Sequence, residues 1–421
     1  MGGAFQAIGG SVMDLESNPS HLGRLTASKW ELGTALHFPK IVYEDEFYGS
    51  DPSRSYNNNI TETPKAVLPY MGFIAPLKQN LGIGFAVYSQ GGGGGNFENL
   101  QRLSQGGKTI NEILHTDIPV IGTEKRIQES IMCRFMTVKL TSGIGARFGN
   151  LSVGAGIDLV YAFMKLQKTN LDPTGSFRLP ESFDYKSDSA YSYGGKIGMS
   201  YELTEKIRFA YSYTTANKLP LDGNIQVISG GGFPDQSRVS RFMIWPDRHI
   251  AGISYRTSSW ILDFDIKYVP WSHGFTSSKF ILEHPMLTTP LGTQTNVLQM
   301  NLRWRDQWIY SIGGEYSWSD SFRTRIGYSY GRTPLTPQSV SPILGTTTEH
   351  HLSAGIGYYL GQYAFHAALE YGFPKSLKGA KNSDWALSHS DFLIKGSEPY
   401  RLDFKKSTSV ISLYIGIEKQ I

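Results

Sequence analysis

The chain has 421 residues, with 40 Lys and Arg against 36 Asp and Glu, and its formal net charge of +4 is too small and too scattered to suit nucleic acid. Its single cysteine, Cys133, excludes an internal disulfide and any site built from several thiolates. Glycine (46), Tyr (24), Phe (22) and Trp (8) are abundant, yet no run approaches the roughly 18 apolar residues of a membrane helix, so the chain can span a bilayer only as a closed barrel.

The first 26 residues do not alternate. Met1-Gly2-Gly3 is followed by neither a basic region nor an apolar core, so an exported protein would be presented here already trimmed of its leader. The segment continues through Ala4, Phe5 and Ile8, then Asp14 and Glu16, to Asn18-Pro19-Ser20. It is too short to fold alone, and its economical place is inside a barrel as a plug, with a disordered tail as the alternative. The expected division is a plug over residues 1–27 and a barrel over 28–421.

Beyond the plug, short polar breaks and long turn-rich ones take turns. Short breaks fall at 78–80, 149–150, 203–206, 257–259, 319–321 and 361–362. Long ones lie near 45–64, 91–127, 169–188, 218–245, 272–294, 333–347 and 374–403. Hairpins that are short at one end and long at the other describe an all-β, up-and-down antiparallel transmembrane barrel, of about 14 strands. Short turns then face the periplasm and long loops the outside.

Faces can be assigned strand by strand. The strand at 66–77 carries Pro69 and Pro76, which suits a kinked or partly unpaired strand. The strand at 129–148 changes parity between Phe135 and Leu140, and a bulge is expected there. Leu151, Val153, Ile157, Leu159 and Phe163 oppose Ser152, Gly154, Gly156 and Asp158. Trp260, Leu262, Phe264, Ile266 and Tyr268 alternate with Asp263, Asp265 and Lys267, giving one greasy face and one wet face. A soluble sandwich can do the same, but in a barrel the greasy face looks outward. Residues 296–318 read as one long strand, with a break in the row at Asp306. The last strand carries Ile411, Leu413, Ile415 and Ile417 and lacks a terminal aromatic.

In the long break at 91–127, Phe97, Leu100 and Leu103 sit at helical spacing, as do Ile110, Ile113 and Leu114. Amphipathic helices in an outer loop need an apolar partner, either a ligand or each other. Gly91–Gly95 offers a hinge ahead of them. Enzymatic motifs are missing: His350 and His351 are adjacent on a strand and point to opposite faces, and no Gly-x-Ser-x-Gly occurs. No cofactor and no metal is expected.

Three segments, taken in order, resemble the FadL/TodX family of outer-membrane transporters for long-chain fatty acids and aromatic hydrocarbons. Gly3-Ala4-Phe5 with Asn18-Pro19 and Leu22 is similar to that family's hatch signature, with Ser20 where alanine is usual. Pro246-Asp247, Gly252 to Arg256, Asp265 and Trp271 match a second region. Trp304, Asp306, Gly313 to Tyr316, Arg325 to Tyr328 and Thr333-Pro334 match a third. The resemblance implies capture of a hydrophobic molecule among the outer loops, an apolar lumenal pocket, movement of the hatch and sideways release into the bilayer. It makes Phe5, Ile8, Phe97, Leu100, Leu103, Ile110, Ile113 and Leu114 the candidate substrate contacts. The expected partners are a fatty acid or hydrocarbon and membrane lipid, for a monomer. A hydrophilic porin and a barrel adhesin are the alternatives.

Overall fold

The computed structural model describes residues 1–48, 55–104, 108–228, 234–288, 294–381, 383 and 401–421. Its wall opens with β1 (Lys29–Tyr48), then β2 (Tyr56–Glu62) and β3 (Ala66–Lys78) end to end, β4 (Leu81–Leu103), β5 (Arg126–Phe148) and β6 (Leu151–Leu171). β7 (Phe183–Ser187) continues the position of β8 (Ala190–Glu202), and β9 (Ile207–Thr214) that of β11 (Gly223–Ile228), with β10 (Asn217–Pro220) between them. β12 (Pro234–Ser240) stands above β14 (Arg248–Arg256), and β13 (Phe242–Trp245) joins β10 in a separate ribbon. β16 (Ser277–Leu282) stands above β15 (Trp260–Val269), and β17 (Leu287–Thr288) and β18 (Gln294–Thr295) form a small ribbon. β19 (Val297–Asn301) stands above β20 (Gln307–Ser317), followed by β21 (Phe322–Gly331), β22 (His350–Leu360), β23 (Tyr363–Lys378) and β24 (Arg401–Gln420). These make fourteen antiparallel positions around the wall.

β24 pairs with β1 from Lys29↔Gln420 to Tyr48↔Arg401, which closes the barrel. The outward rows are the apolar ones: Leu32, Ile157, Tyr193, Ile312, Ile326 and Leu369 are all exposed. Aromatic pairs mark the two rims of this band. Trp260 meets Tyr316 at 4.5 Å near the short-turn end, and Tyr268 meets Trp308 at 4.7 Å at the other end of the same strand pair. Eight residues separate Trp260 from Tyr268, about 27 Å along the strand, which matches the height of a membrane's apolar band once tilt is allowed.

Several expectations need correction. The inward row of β5 does not flip through a bulge of its own. Its register with β6 runs unbroken from Gln128↔Leu171 to Phe148↔Leu151, and it is β4 that bulges, at Ser89/Gly91 and at Phe97/Leu100. What changes is the character of the inward row: Ile131 and Cys133 give way to Thr137, Lys139 and Thr141, all buried. β6 does the same in reverse, from Ser152 and Asp158 to Val160, Ala162, Met164 and Leu166. The lumen is therefore polar in its short-turn half and apolar in its long-loop half. The single strand expected over 296–318 is broken at 302–306, where Arg303 takes a φ of 48°. Phe97 to Leu103 continue β4 instead of forming a helix, because alternate residues pack inward beside β5; Ile110–Leu114 is an α-helical turn, with Thr109 and Glu112 forming a capping box. The long connection expected at 374–403 lies largely outside the described residues.

Candidate functional site

The segment ahead of β1 fills the polar half of the lumen. Asn18 opens a 3-10 turn over Pro19–Arg24: its Oδ1 accepts from the Ser20 amide at 3.2 Å and from Ser20 Oγ at 2.8 Å. Its amide donates to the Met199 carbonyl of β8 at 3.3 Å, and Ser20 Oγ lies 3.2 Å from Ser200 Oγ. The serine that departs from the family pattern thus ties the plug to the wall. The wall is shaped for this contact. A Cβ at Gly198 would overlap Asn18 Oδ1, and one at Gly82 would overlap the Leu22 carbonyl. Higher in the plug, Asp265 Oδ2 accepts from the Phe5 and Gln6 amides at 2.9 and 3.0 Å. Val12, Leu15 and Leu22 are fully buried.

A belt of paired charges joins the plug and the wall above it. Asp158 holds both Lys139 and Lys196, at 3.2 and 3.1 Å, and Glu16 holds Arg248 at 2.6 Å. Burial works against the ionised form of Glu16, but Arg248, Lys196 and Lys267 outweigh it and hold the carboxyl at about 2.

The upper lumen is a continuous apolar interior. Tyr43 and Phe47 from β1, Phe97 and Leu100 from β4, Ile131 and Cys133 from β5, and Met164 and Leu166 from β6 all point into it. One side is an aromatic cluster: Phe135 stacks on Trp245 at 5.6 Å, Trp271 meets Trp304 at 5.2 Å, and Phe275 stacks on Trp304 at 4.6 Å. A buried Arg102 crosses this region, held by Asp45 at 2.8 Å and Glu129 at 3.2 Å.

The wall beside this interior is interrupted. β2 and β3 share the second barrel position but stop short of each other at Thr63-Pro64-Lys65. β4 pairs with β3 only up to Tyr70↔Tyr88, so Ala66–Pro69 have partners on β1 alone. Pro64 and Pro69 have no amide hydrogen to offer β4. Higher up, the connection is made by a side chain: Asn58 donates to the Gln101 carbonyl at 3.0 Å and accepts from its amide at 2.8 Å. Between these two limits lies a window in the wall. Gly91–Gly95 runs along its β4 edge, and a Cβ at Gly91 would stand 3.2 Å from the Trp245 ring. The glycines expected to serve as a loop hinge therefore form one side of the window.

The residues singled out from sequence fall into three places. Phe97, Leu100 and Leu103 belong to the apolar interior. Gly3, Ala4, Phe5, Ile8, Asn18 and Pro19 belong to the plug, where Arg208 donates to the Ile8 carbonyl at 2.8 Å. Ile110 and Leu114 pack with Ile127 and Leu179 in a separate small cluster, with Ile113 half-buried on the same helix. Tyr43, Cys133, Trp245, Phe275 and Trp304 were missed. For Tyr43 and Cys133 the signal was an apolar residue on a row that is polar elsewhere in the same strand; Trp245 ends the short β13, and Phe275 and Trp304 lie between strands, where alternation says nothing.

Comparison with known proteins agrees with this architecture. A model of the family described as outer membrane protein transport protein (OMPP1/FadL/TodX) matches residues 148–415. The chain is 20% identical over 380 residues to the long-chain fatty acid transport protein of Salmonella typhi, covering 84% of this chain and 79% of that protein. It is 19% identical over 391 residues to the protein of the same description from Escherichia coli (strain K12), with 84% and 79% covered. The toluene transporter TodX of Pseudomonas putida has the same fold, with a TM-score of 0.67 at 17% identity over 100% of this chain and 98% of that one. The toluene transporter TbuX of Ralstonia pickettii gives 0.62 at 16% identity over 100% and 98%. With the family model spanning well over half of a barrel that already carries the plug, the chain belongs to the outer membrane protein transport protein (OMPP1/FadL/TodX) family.

Proposed function

We propose that this outer-membrane barrel takes up hydrophobic compounds of the fatty-acid and aromatic-hydrocarbon class, holding them in the apolar upper lumen and releasing them sideways through the window between β3 and β4. One observation carries the reading: the apolar interior adjoins the interrupted stretch of wall, with Trp245 packed against Gly91 where the two meet. A greasy solute gains roughly 25 cal/mol for each Å² taken out of water, so the step from medium to lumen to bilayer is downhill and needs no energy source. The plug blocks the polar half of the lumen, which argues against a hydrophilic porin. Displacement of residues 1–27 would loosen the floor of the apolar region and let substrate pass. Phe97, Leu100 and Leu103 contact the substrate in this account, and Phe5 and Ile8 respond to it through the plug. The barrel acts as a monomer surrounded by lipid.

The test is uptake by outer-membrane vesicles with and without the protein, using oleate, toluene and a hydrophilic sugar in parallel. Faster entry of an apolar compound with unchanged sugar entry supports the reading. Faster sugar entry contradicts it.

A further inference from the structure

We propose that the outer face of the barrel, just above its apolar band, binds the phosphorylated head group of an outer-leaflet glycolipid. The site is a row of side chains crossing β5, β6, β7, β11 and β12, and it does not depend on what the lumen carries. Strand register sets the row: Arg134 pairs with Lys165, Lys165 with Lys186, Lys186 with Asn224, and Asn224 with Arg238. Each alternates with a buried lumenal neighbour, Cys133, Leu166, Tyr185, Ile225 and Val239 in turn, so all five point outward. With strands about 4.8 Å apart, the row is roughly 19 Å long.

Like charges directly opposite one another destabilise a sheet. Here Arg134, Lys165 and Lys186 stand opposite in succession on one face. Asp184 reaches Lys165 only at 3.8 Å, and Asp188 takes Arg238 at 2.7 Å, with Arg238 also donating to Asn224 Oδ1 at 3.2 Å. Among the described residues, Arg134 and Lys186 have no carboxylate within ion-pair distance. Lys405 on β24 also faces a like charge, Lys378, but there Glu44 stands opposite on β1 and holds it at 2.8 Å. The row on β5 to β7 lacks such an answer from the protein.

The surface over the row is hollowed. A groove of about 430 Å³ lies over Lys165, Lys186, Asn224 and Arg238, with Gln226 and Gln236 along one side. Arg134 lines a second hollow of about 310 Å³ with Gln167. Tyr161 and Tyr191, whose rings meet at 5.6 Å, mark the outer rim of the apolar band on β6 and β8. Lys165 stands four residues further along β6, about 13 Å of strand or roughly 10 Å of height at a tilt of about 40°. That is head-group level, and the outer leaflet meets the row from outside the barrel. Phosphate oxygens would accept from the arginine forks and lie against the lysine charges, while the glutamine amides suit sugar hydroxyls. A neutral head group would leave the opposed cations unanswered. Arg134 also pairs with Gly94, so the bound lipid would border the window one strand away.

The experiment titrates the full chain in detergent with bisphosphorylated lipid A and with the same lipid stripped of both phosphates, reading bound lipid by native mass spectrometry. Wild type should bind the phosphorylated lipid at least about tenfold more tightly. R134Q/K165Q/K186Q should lose that preference, whereas K405Q, which removes an outward cation already answered by Glu44, should keep it. Equal binding of the two lipids by wild type would overturn the proposal. So would a preference that survives in the folded triple variant, or one that K405Q abolishes as fully. The two-lipid comparison on wild type stands even where the triple variant does not fold.

Discussion

Side chains forced into the glycine-lined wall should unseat the plug, and only in combination. Val12, Leu15 and Leu22 are fully buried between plug and wall, and each contributes about 1.5–3 kcal/mol, or roughly 5–9 kcal/mol together. That sum is an upper bound, since a released plug can rebury some of this surface. A leucine at Gly82 or Gly198 is driven onto the Leu22 carbonyl or onto Asn18 and Pro19, at a cost of about 1–3 kcal/mol each. Gly198→Leu also takes the Asn18 side chain from its plug-to-wall hydrogen bond to the Met199 carbonyl, worth about 0.5–1.5 kcal/mol. Either change alone stays near or below the lower end of the seating energy; the two together reach it. Planar-bilayer recordings should therefore be nearly silent for wild type and for each single variant, and show steady open conductance for G82L/G198L. A folded double variant as silent as wild type would refute the reasoning.

Three further outcomes follow from the same geometry. Burial pushes Asp14 up to about 7, which weakens plug seating as pH rises from 3.8 through 7, while burial drops His21 to about 3, which strengthens seating as pH rises from 3 to 6.5. Asp14→Asn removes the opposing effect, so amide protection over residues 18–22, corrected for intrinsic exchange, should climb in the variant between about pH 5, above the Glu16 contribution, and 6.5; a flat profile there contradicts the assignment. Arg102→Met takes the guanidinium away from Asp45 and from Glu129, which keeps Lys168 at 3.4 Å, and should cost about 3–5 kcal/mol, read as a lower midpoint of thermal unfolding in detergent, with an unchanged midpoint counting against it. Gly91→Val presses on Trp245 and should slow apolar-solute uptake by about tenfold with little change in binding, whereas equal losses in both would remove the window from the release path.

Much of the barrel can be read from the chain because lipid imposes one rule on every strand. Trp260 to Tyr268 alternate as they do because one row must be apolar over the whole membrane height, and short turns such as 149–150 and 361–362 leave no other topology. The lumen imposes no single rule. Its row in β5 is Thr137, Lys139 and Thr141 beside the charge belt but Ile131 and Cys133 higher up, so one continuous strand imitates a bulge. Phe97 and Leu100 share a face three residues apart, as in a helix, because a bulge at Asn99, with a φ of 58°, shifts the parity of a strand; Leu103 falls on the alternate row from the buried Arg102. The window depends on where β3 stops pairing with β4, which Pro64 and Pro69 hint at without fixing the partner.

The most direct test of the central claim is mass spectrometry of small molecules extracted from the gently purified protein, with detergent and growth-medium blanks. A fatty acid or hydrocarbon retained in near-stoichiometric amount is the result expected of an apolar lumen built for uptake. A protein that carries none, and that conducts ions steadily in a planar bilayer, would contradict it.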